Sequence, residues 1–70
     1  MPKKVRELKQ MLKQAGFTLI PKRGKGSHTI WKHPFYNGTI TLSGKDSKDA
    51  GRYQERDVKR AIEEVKNYEA

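Results

Sequence analysis

The chain has 70 residues, no cysteine and a formal net charge of +8. That length leaves room for one domain, and the missing thiols exclude disulfides and thiolate metal sites. Hydrophobic residues make up 33% and charged residues 34%, and a domain this small buries only about 60% of the surface its unfolded chain exposes, so the core must be thin. No apolar run suits a membrane span or a secretory signal, which points to a small cytoplasmic protein.

The positive charge is uneven. Residues 1–45 hold ten basic residues and a single acid, Glu7, whereas residues 46–70 hold six basic and seven acidic residues. A basic half of this kind suits a polyanion or a strongly acidic protein partner. Excess charge alone also keeps small proteins soluble and monomeric.

From the N-terminus, Val5, Leu8, Leu12 and Ala15, with Met11 beside them, recur at the spacing of one helical stripe. Gly16 then stands where a helix ends with φ > 0. The expected helix covers about residues 3–15. Phe17-Thr18-Leu19-Ile20, closed by Pro21, reads as a strand, with the proline marking either a sheet edge or the strand's end, over about residues 17–22. Lys22-Arg23-Gly24-Lys25-Gly26-Ser27 must turn. His28-Thr29-Ile30-Trp31-Lys32-His33 alternates until Pro34, giving a second strand at about 28–33. Asn37-Gly38 is a hairpin signal, and Thr39-Ile40-Thr41-Leu42 begins a third strand, about 39–43. After a polar loop, Val58, Ala61, Ile62, Val65 and Tyr68 restore a helical stripe, for a helix at about 54–68.

The order is therefore α-β-β-β-α, an α+β fold. A three-stranded antiparallel sheet with both helices on one face is the simplest way to bury two stripes. The expected core is Leu8, Leu12, Phe17, Leu19, Ile30, Ile40, Val58 and Ile62. If Ile30 faces the helices, Thr29, Trp31 and His33 face away. Trp31 then has three roles open to it: stacking a nucleotide base, filling a protein interface, or completing the thin core.

Two histidines on one strand make a poor metal set, and no cofactor motif is present. His28 is the residue with chemistry. Small residues at 24, 26 and 27 let a phosphate approach the backbone, and Lys22, Arg23 and Lys25 supply charge for it. An imidazole there can move protons near neutral pH. The plainer reading is a surface histidine in a basic RNA-binding loop. Lys45, Ser27 and His33 are candidates for a second proton-transfer group, although alternation puts His33 on the face opposite His28, where a structural role fits better.

The string GSHTIWKHP at 26–34 resembles the central motif of the HicA toxins. The resemblance extends over nearly the whole chain, through AGF (15–17), TLSGKD (41–46) and YQERDV (53–58) in family order. It implies a small metal-independent ribonuclease that cleaves mRNA, neutralised by a HicB-type antitoxin, on a fold similar to a double-stranded-RNA-binding domain. The family's essential histidine maps onto His28; Thr29 stands where many members carry a second histidine. The expectation is one HicA-like domain over residues 1–70, cytoplasmic and monomeric when free. His28 would be its general acid or base, and Lys22, Arg23, Lys25, Gly26, Ser27, Lys32 and Lys45 would hold RNA. A non-catalytic RNA-binding module of the same fold is the alternative.

Overall fold

The structure is a computed structural model describing residues 3–21 and 28–69. In chain order the elements are α1 (Val5–Gln14), β1 (Thr18–Leu19), β2 (Thr29–Lys32), β3 (Ile40–Leu42) and α2 (Arg52–Glu69). The strands form one antiparallel sheet in the order β1-β2-β3. The α-β-β-β-α order and the α+β class are those expected from the sequence, and β1 is an edge strand that ends two residues before Pro21. No helix among the described residues is long and apolar enough to cross a membrane.

Helix α1 illustrates how the ends are satisfied. Lys4 occupies the N-cap position, and its side chain makes no capping hydrogen bond. The first amides instead find loop carbonyls: Val5 N–H donates to Lys48 O at 2.9 Å and Arg6 N–H to Asp46 O at 3.2 Å. Ion pairs from Lys4 to Asp49 and from Lys9 to Asp46 hold the same loop to α1. At the other end Gly16 adopts φ +96°. Its N–H donates to Lys13 O, and Phe17 N–H donates to Leu12 O at 2.9 Å, the paired bonds of a Schellman motif. Phe17 and Leu12 are both buried, which supplies the motif's apolar contact.

Both helices cover one face of the sheet. Val5, Leu8 and Leu12 of α1 and Val58, Ala61 and Val65 of α2 meet Phe17, Trp31, Ile40, Leu42 and Ala50 in a single core. This corrects the expected choice of sheet face. Trp31 is 2% exposed and points toward the helices, whereas Ile30 is only half-buried on the outer face. The registers Trp31↔Ile40 and Thr29↔Leu42 explain why. Trp31's face carries the larger apolar area, while Ile30 has Ile20 on its β1 side, Thr41 on its β3 side and Lys32 next on its own face. Burial follows apolar area, so Trp31 goes inward, and its indole N–H is satisfied by Thr29 Oγ1 at 3.0 Å.

Other members of the expected core are corrected too. Leu19 pairs with Trp31 but lies on the edge strand and remains 47% exposed. Ile62 is partly buried and packs at the margin of the core with Met11 and Ala15; Tyr68, the last residue of the second helical stripe, is exposed. Asn37-Gly38 does lie between antiparallel strands, but the connection spans residues 33–39 rather than a two-residue turn.

Candidate functional site

Alternation along β2 sorts the candidate residues. His28 immediately precedes the strand and is exposed. It shares the outer-face parity of Ile30 and Lys32. Lys32 is exposed as well, but four residues at roughly 3.3 Å each separate it from His28 by about 13 Å. It can steer an anion along this face without reaching the same phosphate as His28. Lys22, Arg23, Lys25, Gly26 and Ser27 lie outside the described residues.

His33 belongs to the opposite face and is buried. Its Nδ1 accepts the Phe35 N–H at 3.0 Å. Phe17 and Phe35 place their ring centroids 5.0 and 5.5 Å from the imidazole. A side chain at position 16 would put its Cβ 3.0 Å from His33 Nε2. The ring is thus a packed part of the β2–β3 connection, in agreement with the structural reading of this residue.

The segment after β3 meets β2 at the His28 end. Carrying the register Thr29↔Leu42 one step further sets Ser43 opposite His28. Gln54, in the first turn of α2, grips Ser43 from the helix layer. Its Oε1 accepts the Ser43 N–H at 2.6 Å and the Ser43 hydroxyl at 3.0 Å, while its Nε2 donates to Ser43 O at 3.3 Å. Gly44 follows with φ +103°, a conformation glycine reaches without steric cost, and the chain delivers the exposed Lys45. The Lys45 carbonyl accepts the Lys48 N–H at 2.9 Å, closing the turn.

Asp46 continues this segment. A hydrogen bond from Lys9, at 2.6 Å, holds its carboxyl below the usual carboxylate range, and the charge of Lys9 adds to the effect, with Arg6 and Lys13 assisting. His28 and Lys45 therefore stand at one end of the sheet on backbone tied to both helices. Gln54 was not singled out from the sequence, where an amide in a helix's first turn looks like a solvated residue. Its role is visible only through the loop it holds.

Comparison with protein families decides the relationship: residues 5–64 match the family described as HicA toxin of bacterial toxin-antitoxin. The chain belongs to the HicA toxin family. No curated protein and no solved structure matches it. The HicA match spans both helices' cores and every strand. Membership makes the chain a toxin, and a toxin of a toxin–antitoxin system implies an antitoxin partner. Within the HicA match, His28 is the exposed histidine and His33 the buried one.

Proposed function

We propose that this HicA-family toxin is a cytoplasmic endoribonuclease that cleaves mRNA, with His28 as general acid or base. The observation that carries the reading is the contrast between the histidines: His28 is exposed just before β2, while His33 is committed to packing. RNA brings its own nucleophile. The 2′-hydroxyl attacks the adjacent phosphorus, the bond to the 5′-oxygen breaks, and a cyclic phosphate and a free 5′-hydroxyl result. His28 takes the 2′-hydroxyl proton or delivers one to the departing 5′-oxygen. Because the nucleophile lies within the substrate, the step needs no metal-bound water. Lys45, with Arg23 and Lys25 from the basic turn and the backbone at Gly26 and Ser27, stabilises the charge that grows on the phosphate. Lys22 and Lys32 extend the positive track for the strand.

A HicB-type antitoxin would silence such a site most directly by covering His28 and setting carboxylates against Lys45 and Lys32. Of the roles open to Trp31 from the sequence, completing the core is the one it has, so it takes no part in that interface. The non-catalytic alternative keeps the charge and the fold and uses His28 as a contact alone.

Purified toxin and its His28→Ala variant, incubated with RNA in excess chelator, separate these readings. Cleavage by the parent that disappears in the variant, with RNA affinity retained, supports the ribonuclease. RNA binding by both proteins without cleavage by either supports the module.

A further inference from the structure

We propose that Tyr53 and Arg56, at the start of α2, form a subsite that stacks a base of the RNA strand running past His28. The proposal rests on the ribonuclease reading and extends it away from the scissile phosphate.

Sites for single-stranded nucleic acid commonly combine cations with an aromatic face on which a base can lie. The described rings can be taken in turn. Trp31 and Phe17 are in the core. Tyr36 is half-buried against Phe17, 5.7 Å away between ring centroids. Phe35 and Tyr68 stack on each other, 5.2 Å apart and inclined by only 20°. Tyr53 is different. It is 79% exposed, and its one described ring contact is the Arg56 guanidinium, 5.9 Å from the ring centroid. A cation on one side orders the ring and leaves the other face available, which lowers the entropy lost when a base stacks there.

Its place in the fold puts this face on the substrate's path. Gln54, the next residue, is bonded to Ser43, which the register sets opposite His28. Asp57 and Arg60, one and two turns further on, line a cleft with Thr39, just before β3, and Thr41 of β3. The helix row that begins with Tyr53 therefore looks out past the β3 edge. A strand leaving His28 across the end of β3 meets Tyr53 next.

The surrounding charge, exposed Asp57 apart, suits a polyanion, and the ribonuclease reading makes that polyanion RNA. Arg52, Arg56 and Arg60 follow one another at four-residue spacing on an exposed face, although like charges so placed weaken a helix. The neighbouring Glu55 is engaged by Lys59 at 3.3 Å. These cations are hidden in the net charge of residues 46–70, which is slightly negative.

The test uses His28→Ala protein, so that RNA survives the measurement, and fluorescence anisotropy with a labelled single-stranded RNA. Adding Tyr53→Ala should weaken binding by roughly 5- to 150-fold, the range for losing one stacked base. Tyr53→Phe should bind within about twofold of the parent, because stacking uses the ring and not the hydroxyl. Arg56→Gln should lower the slope of log affinity against log salt by about 0.7. Unchanged far-UV spectra are expected, since both side chains are exposed. If the parent binds RNA and Tyr53→Ala binds equally well, the stacking proposal is overturned and the ribonuclease reading stands. A Phe variant as weak as the Ala variant also overturns it. Loss of antitoxin affinity with RNA affinity intact would make Tyr53 a protein contact instead, and no RNA binding by the parent overturns both readings.

Discussion

Replacing Trp31 by alanine is the sharpest test of how this sheet is oriented. Trp31 is the largest fully buried side chain, 2% exposed among Ile40, Leu42 and the helix stripes. Burying an aromatic side chain removes about 150–250 Å² from water, which at about 25 cal/mol per Å² is roughly 4–6 kcal/mol. That is an upper estimate, because an unfolded chain already hides part of its apolar surface. Measured Trp-to-Ala truncations in cores cost about 3–5 kcal/mol, and the Thr29 hydroxyl also loses its indole donor. A 70-residue domain has about 3.5–10 kcal/mol in total at typical stability per residue. Trp31→Ala should therefore lose about a third of the stability or more, and at the lower end of that range it will not fold. Urea titration followed by far-UV circular dichroism measures the change, since the variant has no tryptophan to report by fluorescence. In the parent, the emission of this single tryptophan should be that of a buried indole and should shift to the red on unfolding. A water-exposed emission in the native protein, or a loss below about 1 kcal/mol in the variant, would refute the inward placement of Trp31.

Two further perturbations test the supports of the site. Gly16→Ala places a side chain at φ +96° and sets its Cβ 3.0 Å from His33 Nε2, so it should destabilise by more than about 1 kcal/mol; a melting temperature equal to the parent's would show that His33 is not packed there. The carboxyl of Asp46 is held below its ordinary range by Lys9, so the contribution of this pair is present above the unfolded carboxylate's pKa and is lost as pH falls through the depressed folded value. Stability measured against pH in the acid range should thus fall less steeply in Asp46→Asn, and by less again at high salt because the pair is exposed. An identical acid slope in the two proteins would remove Asp46 from the account.

Much of the fold was legible because local rules and tertiary demands agree. The stripe Val5-Leu8-Leu12, the stop at Gly16 and the stripe Val58-Ala61-Val65 each repeat at a helical period and end on residues suited to the ends. The end of β1 agrees with a proline that cannot donate to a ladder, two residues past Leu19. His28 stood out through the string GSHTIWKHP at 26–34, because the glycines and cations around it are equally compatible with a plain surface histidine. Gln54 and Tyr53 did not stand out, because their interest lies in partners far along the chain or in a surface that composition averages away.

What the sequence determined by itself is which residues share a side. Strand alternation binds Thr29 to Trp31 and His33, and His28 to Ile30 and Lys32, whatever the rest of the molecule does. Which side faces the helices was decided by tertiary structure alone. A single strand offered Ile30 against Trp31 and no means of choosing. Pairing with β3 added Ile40 and Leu42 to the Trp31 face and Thr41 to the Ile30 face, and the larger summed apolar area went inward. The same choice turned His28 outward to solvent. The register, by setting Ser43 opposite it, brought Gln54 and the start of α2 to that end of the sheet. Hydrophobic burial is a property of whole faces, and a face exists only once strands have paired.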